Sequence, residues 1–140
     1  MKAVVKRVQG MTLAARADSN HWLIMDAAES VGGTDAGSRP VELILMGLAG
    51  CTSMDVLSIL QKKRITLDDY EVLVEAERAE EHPKVFTRIA LKFVFYGNNI
   101  PEEAVKRAIE LSETKYCSVS AMLSKTAAIT VEYEIKEQRS

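Results

Sequence analysis

The stretch from Val41 to Leu60, VELILMGLAGCTSMDVLSIL, constrains the fold more than any other part of the chain. Its first ten residues are apolar almost all round, which predicts a helix that is buried on most sides. Pro40 suits the first turn of such a helix, Ser38 is a candidate cap, and the QKKR run suits the negative end of the helix dipole. We therefore predict a long central helix rather than a surface helix.

Two glycines interrupt this helix. Gly47 and Gly50 precede Cys51, although each glycine costs a helix roughly 1 kcal/mol relative to alanine. A missing side chain lets another backbone, a partner helix or a small substrate approach the thiol closely. Because the only other cysteine is Cys117, the function depends on whether the two thiols act together.

Composition narrows the class of protein. The 140 residues are 47% hydrophobic, enough for one domain with a substantial core, and the formal net charge of -2 argues against a nucleic-acid partner. The N-terminus lacks the apolar run of a signal sequence, and the apolar run 43–49 is far shorter than the ~20 residues that span a bilayer. We therefore expect a cytoplasmic protein. In the cytoplasm, cysteines are usually free, catalytic or redox-active rather than permanently paired.

Alternating and helical patterns predict the remaining elements. The predicted strands are 3–8, 11–17, 22–25, 70–78, 85–96 and 128–136. Strands 70–78 and 85–96 are predicted to form a hairpin, and one face of the second carries Val85, Ile89, Leu91, Phe93 and Phe95. A second helix is predicted from Pro101 to about Lys115, and a short third helix begins at Ser118, its candidate cap. The soft segment AAESVGGTDAGSRP before the long helix is either a mobile loop or a flap beside a site. The order indicates one α+β domain over residues 1–140, in which sheet covers a buried helix.

Two interpretations of Cys51 remain open from the residues alone. Free cysteine is among the most buried residue types, so Cys51 can simply be part of the core. A helix re-initiated near Gly50 would instead place Cys51 at the positive end of a helical turn, which stabilises a thiolate. Asp55, one turn away, opposes that thiolate because like charges repel.

Cys117 also has two interpretations. It precedes the helix predicted to start at Ser118 and lies near Lys115, and both features favour a thiolate. Alternatively, Cys117 packs at the junction of two helices. The two cysteines can form a redox pair only if the fold brings their Cα atoms within about 7 Å.

Other chemistries have weaker support. A metal site built from Cys51, Cys117, His21 and His82 lacks any short ligand spacing, and both histidines are predicted to be solvated. The sequence contains no G-x-S-x-G nucleophile elbow and no phosphate-binding glycine loop.

Two motifs carry a family resemblance. RPVELILMGLAGCTSMDVLSILQKKR, followed downstream by LSETKYCSVSAMLSK, resembles the OsmC/Ohr superfamily of osmotically induced and organic hydroperoxide resistance proteins, and most closely its YhfA-like branch. The resemblance extends over nearly the whole chain. It implies an OsmC-like α+β fold: an intertwined homodimer whose long buried central helices are wrapped by antiparallel sheet.

The resemblance also implies a chemistry. By position, Cys51 is the attacking thiolate and Cys117 the resolving thiol of a peroxidase for organic hydroperoxides and hydrogen peroxide. The sulfenic acid formed on the first cysteine condenses with the second to a disulfide, which an external dithiol reduces. In the better-known branches that dithiol is a protein-bound dihydrolipoamide. No metal, flavin or haem is implied.

The resemblance is incomplete in the residues that would ionise the attacking thiol, Cys51. Active members ionise the attacking thiol with an Arg–Glu pair whose glutamate lies ten residues before the cysteine, and that position here is Val41. Glu42, nine residues before Cys51, faces the opposite side of a straight helix at roughly 13 Å. It either acts across the dimer axis or stabilises the helix N-terminus. Arg39 is the first candidate for the cation, and Arg16 is the second.

We predict a dimeric, thiol-dependent peroxidase of oxidative stress defence. The alternative is a dimer of the same fold with little or no turnover, which binds a small molecule or senses redox state. The displaced glutamate favours the alternative, and the retained cysteine pair favours the enzyme.

Overall fold

The computed structural model describes residues 1–137 and has the predicted α+β class. Its strands are β1 (Ala3–Gln9), β2 (Thr12–Ala17), β3 (Leu23–Met25), β4 (Asp69–Arg78), β5 (Phe86–Tyr96) and β6 (Ala128–Lys136). Its α-helices are α1 (Pro40–Lys62), α2 (Glu102–Leu111) and α3 (Ser118–Leu123). The predicted second helix ends earlier than expected, because a π-helical turn, Ser112–Tyr116, follows α2.

Cα proximity divides the chain into two compact units, Met1–Leu45 and the residues from Met46 onward, with the boundary inside α1. The first unit contains an antiparallel sheet in the order β1-β2-β3. Its first turn has Gly10 at a φ of +55°, a left-handed conformation that glycine adopts without steric cost. The single domain expected over residues 1–140 stays a prediction.

The soft segment of the first unit is organised by Asp26, whose side chain is only 2% exposed. The Asp26 carboxylate accepts hydrogen bonds from the hydroxyls of Thr12 and Thr34, at 3.0 and 2.6 Å, and from the backbone N–H of Ala36 at 3.1 Å. The Thr34 hydroxyl, above all, holds the pKa of Asp26 well below its ordinary value, although burial opposes this. The segment thus folds around one buried carboxylate.

The second unit contains a sheet in the order β4-β5-β6. β4 and β5 form the predicted antiparallel hairpin, whereas β6 pairs with β5 in parallel, so this sheet is mixed rather than purely antiparallel. The parallel pairing follows from the long crossover between β5 and β6, which contains α2 and α3. The predicted inner face of β5 is confirmed at its buried residues Ile89, Leu91, Phe93 and Phe95. Val85, placed on the same face, precedes β5 and is 44% exposed.

Helix α1 is continuous through Gly50, which excludes the alternative in which a helix re-initiated near that glycine places Cys51 at its positive end. Within this single chain its buried residues form one stripe at every fourth position: Leu48, Thr52, Val56 and Leu60. Burial on most sides is therefore not reached within one chain, since Met46 and Met54 are 53% and 75% exposed. By length and composition alone α1 could cross a bilayer, but the core helix of a soluble protein meets the same criterion.

Candidate functional site

The structure brings Cys51, Asp55 and Cys117 together in the second unit. The two Sγ atoms and a carboxylate oxygen all lie within 4.8 Å of one another. Cys51 and Asp55 are four residues apart on α1 and therefore share one helix face. Cys117 joins them from the junction between the π-helical turn and α3. The fold thus brings the two sulfurs close together, and the redox pairing of the two cysteines stays a prediction.

The π-helical turn brings both Ser112, its first residue, and Cys117, the residue that follows it, to this site. The wider turn is closed by a 2.9 Å hydrogen bond from the Cys117 backbone N–H to the Ser112 carbonyl, five residues back. The Ser112 side chain is 1% exposed, and its hydroxyl donates a 3.0 Å hydrogen bond to Asp55 Oδ2. Ser112 thus orients the carboxylate beside the thiols, a role that the sequence analysis did not predict.

Cys117 itself caps α3. Its Sγ accepts a 3.3 Å hydrogen bond from the Ser120 backbone N–H, so the cap is Cys117 and not Ser118 as predicted. An N-terminal N–H group favours a thiolate, but Cys117 is only 3% exposed. Burial is the larger effect and raises the pKa of Cys117 to about 11, with the neighbouring Cys51 adding to the rise.

Of the two interpretations of Cys117, burial favours the thiol packed at the junction of two helices over the thiolate. Lys115 was one of the features that favoured the thiolate. Its ammonium lies 5.3 Å from the centroid of the Tyr116 ring, a cation–π contact.

Cys51 is less enclosed than Cys117 and lies next to open space. It is only partly buried. A Cβ added at Gly47 or Gly50 would meet no atom within 4 Å among residues 46–137. The two glycines thus leave room beside the thiol, as predicted. No atom of residues 46–137 fills this room.

A pocket of about 290 Å³ borders the site, with Asp55 in its wall. The other lining residues combine apolar surface with two ammonium groups and a hydroxyl: Ile59, Leu111, Tyr116, Lys62, Lys63 and Ser58. Such a combination suits a small ligand with an apolar body.

The predicted supporting residues lie in the first unit and make their contacts there. The Arg39 guanidinium forms an ion pair with Asp35 and donates a 2.9 Å hydrogen bond to the Gly37 carbonyl. Glu42 accepts a 2.8 Å hydrogen bond from the Arg39 backbone N–H, which matches the predicted role at the helix N-terminus. A role for either residue at Cys51 stays a prediction.

The second-choice cation, Arg16, is also engaged within the first unit. It hydrogen-bonds to the Asn20 side chain and stacks over the Trp22 ring, 5.0 Å from its centroid. The two histidines considered as metal ligands are exposed, His21 before β3 and His82 in the β4–β5 hairpin.

Comparison with known proteins identifies the family. Residues 33–134 match the family described as OsmC-like protein. Protein YhfA of Escherichia coli K12 is 43% identical over 135 residues, which cover 96% of this chain and 98% of YhfA. A hypothetical protein from Aquifex aeolicus VF5 superposes with a TM-score of 0.85 at 28% identity, covering 99% of this chain and 97% of that one.

An organic hydroperoxide resistance protein from Legionella pneumophila, also described as a predicted redox protein, shares the fold. Its TM-score is 0.68 at 15% identity, and the match covers 96% of this chain and 97% of the Legionella chain. At this identity the likeness concerns the fold alone. Together with the match over residues 33–134, the YhfA similarity shows that this chain belongs to the OsmC-like protein family.

Proposed function

We propose that this protein is a thiol-dependent peroxidase that reduces organic hydroperoxides and hydrogen peroxide. The observation that carries the proposal is that Cys51 and Cys117 place their sulfurs within 4.8 Å of each other. A disulfide requires an S–S distance of about 2.05 Å, so the sulfurs must approach by less than about 3 Å. Side-chain rotation together with a small shift of α3 supplies a movement of this size.

Cys51 is the attacking residue. It is the more accessible of the two thiols, and open space at Gly47 and Gly50 lets a peroxide reach it. Its thiolate attacks the O–O bond, forms an S–O bond and expels an alkoxide, which takes up a proton and leaves as the alcohol. The product on Cys51 is a sulfenic acid.

Cys117 is the resolving residue. Burial keeps it protonated at neutral pH, and a protonated thiol is the weaker nucleophile toward peroxide. When Cys117 attacks the sulfenic sulfur, its thiol proton leaves, and the departing hydroxide becomes water. The carboxylate of Asp55 lies within 4.8 Å of both sulfurs and accepts that proton on its way to the hydroxide. An external dithiol then reduces the disulfide.

The pocket bordering Asp55 holds the organic part of the substrate. Ile59, Leu111 and Tyr116 offer apolar surface, while the volume of about 290 Å³ limits the size of the hydroperoxide. A compact aryl or short alkyl hydroperoxide therefore fits better than a bulky one.

The active form is a homodimer in a reducing, cytoplasmic environment. In the second unit, α1 exposes the apolar side chains of Met46, Met54 and Leu57, and monomers rarely leave extended apolar patches uncovered. Met54→Lys places a charge on the most exposed apolar position of α1 and should shift the protein to monomer in sedimentation experiments. Leu73→Lys, at a 52% exposed position of β4, is the matched control and should leave the dimer intact.

One observation favours the second candidate function, a redox-sensing or ligand-binding dimer with little turnover. Arg39 and Glu42, the predicted supporting pair, bond to Asp35, Gly37 and each other within the first unit. In the second unit, the Asp55 carboxylate lies within 4.8 Å of both sulfurs, and a neighbouring negative charge disfavours a thiolate. Slow formation of a disulfide without sustained turnover would support this candidate.

The test counts thiols in the reduced protein before and after one equivalent of cumene hydroperoxide. The enzyme should lose two thiols per chain, form an intramolecular Cys51–Cys117 disulfide detected by mass spectrometry, and recover both thiols with a dithiol. Cys51→Ser should abolish peroxide consumption. Cys117→Ser should stop at a sulfenic acid that a dimedone reagent traps. Full peroxide consumption by Cys51→Ser would refute the assignment.

A further inference from the structure

The cluster of Cys51, Asp55 and Cys117 offers a set of metal-ligand atoms as well as a pair of redox-active thiols. Three donor atoms of two kinds, two sulfurs and one oxygen, lie within 4.8 Å of one another in a partly buried site. We propose that the reduced protein binds a thiophilic divalent cation, with Zn²⁺ as the reference ion, through Cys51 Sγ, Cys117 Sγ and one carboxylate oxygen of Asp55.

The distances fit a tetrahedral ion after a small contraction. With Zn–S bonds of about 2.3 Å and a Zn–O bond of about 2.1 Å, tetrahedral geometry places the two sulfurs about 3.8 Å apart and each sulfur about 3.6 Å from the oxygen. Because every separation in the cluster is within 4.8 Å, each pair of ligand atoms must approach by at most about 1.2 Å. Rotation of the three side chains closes a gap of this size without moving α1.

Two ligands are already oriented by hydrogen bonds. Ser112 donates to Asp55 Oδ2, and the Ser120 backbone N–H donates to Cys117 Sγ. Outer-shell contacts of this kind hold metal ligands in their binding orientation. The Asp55 carboxylate has no ion pair among residues 46–137, so its charge is available to a cation.

The donor set selects the class of metal. Two thiols favour zinc, cadmium or other soft ions over magnesium and calcium, which prefer all-oxygen sites. Binding transfers no electrons: each thiol that is protonated loses its proton to solvent as its sulfur bonds to the metal. Three protein ligands leave a fourth position for water or an added thiolate. Because the metal uses both sulfurs, the bound form and the Cys51–Cys117 disulfide exclude each other.

The experiment uses the full-length reduced protein under anaerobic conditions, without peroxide. Zn²⁺ affinity is measured by competition with a chromophoric chelator, and Cd²⁺ binding is followed by its sulfur-to-metal charge-transfer absorption. One metal per chain is expected, together with release of at least one proton and protection of both thiols from iodoacetamide. Asp55→Asn should weaken Zn²⁺ binding at least roughly tenfold. Glu132→Gln, an exposed carboxylate on β6, should not change it.

The results separate the site from the peroxidase. Wild-type protein that lacks stoichiometric binding, or Asp55→Asn protein that binds Zn²⁺ as tightly as wild type, would overturn the three-ligand site. Cys51→Ser should lose the charge-transfer intensity of one thiolate. If a serine variant does not fold, thiol protection and the Zn²⁺-dependent rise in Tm of the wild-type protein still decide the question. Metal binding without peroxide-induced disulfide would uphold this site while refuting the peroxidase.

Discussion

The Ser112 hydroxyl donates a 3.0 Å hydrogen bond to Asp55 Oδ2, and this contact joins the π-helical turn to α1 directly beside both thiols. The two residues are 57 positions apart in sequence. Because the contact gives both the buried hydroxyl and the carboxylate a hydrogen-bond partner, it stabilises the fold as well as orienting the carboxylate beside the thiols.

Ser112→Ala should therefore destabilise the protein. A hydrogen bond to a charged group is worth about 1.5–3 kcal/mol, and the alanine leaves the carboxylate without this donor. The free energy of unfolding, measured in urea, should fall by about 1–3 kcal/mol. Ser124→Ala, at an exposed position after α3, is the control and should change it by less than about 0.5 kcal/mol. An equal effect of the two substitutions would contradict the role of Ser112.

The two thiols should differ in reactivity. With a pKa of about 11, only about 0.1% of Cys117 is a thiolate at pH 8, and its side chain is 3% exposed. Iodoacetamide should thus modify Cys51 at least about tenfold faster than Cys117, because alkylation requires an accessible thiolate.

Peptide mass spectrometry of the partly alkylated native protein measures this ratio directly. The same reagent in denaturant provides the control, since both thiols should then react at similar rates. Faster modification of Cys117 in the native protein would reverse the proposed roles of the two cysteines.

Sequence patterns predicted the elements well, because strands and helices follow from local periodicity. The odd-numbered apolar face of β5 and the extent of α1 could be identified in this way. The parallel pairing of β6 could not, because it depends on the crossover path between two strands and not on either strand's residues.

The site was predictable in part. The motifs indicated Cys51 and Cys117, and helix geometry placed Asp55 on the face of Cys51. Ser112 was missed because a π-helical turn, and not an α-helical one, carries the chain from Ser112 to Cys117. The protonation of Cys117 could not be predicted either. The sequence indicated that Cys117 lies at a helix start, but the burial that raises its pKa depends on tertiary packing.

Asp26→Asn should make the stability of the first unit less dependent on pH. The pKa of Asp26 is lower in the folded chain than in the unfolded one, so the charged carboxylate stabilises the fold above pH ~4. This contribution disappears as pH falls further toward the folded-state pKa. Thermal unfolding from pH 3 to 7 should therefore show a difference between wild type and variant that narrows at low pH. Glu29→Gln, an exposed acid in the same loop, should show no such trend.

Tyr70 supplies the last prediction, because it joins β4 to α1 through both its ring and its hydroxyl. The ring packs 5.2 Å from that of Phe95, and the hydroxyl donates a 3.0 Å hydrogen bond to Ser53. Tyr70→Phe keeps the ring and should cost about 1 kcal/mol of unfolding free energy, whereas Tyr70→Ala should cost about 3–5 kcal/mol.

The same residue should control stability at high pH. Burial raises the pKa of Tyr70 to about 12, so the folded state favours the neutral phenol. The resulting stabilisation is complete below the unfolded-state pKa of about 10 and is lost as pH rises from 10 toward 12. Urea unfolding over this range should therefore show a smaller loss of stability in Tyr70→Phe than in wild type. Parallel losses in the two proteins would indicate that Tyr70 titrates as an exposed tyrosine does.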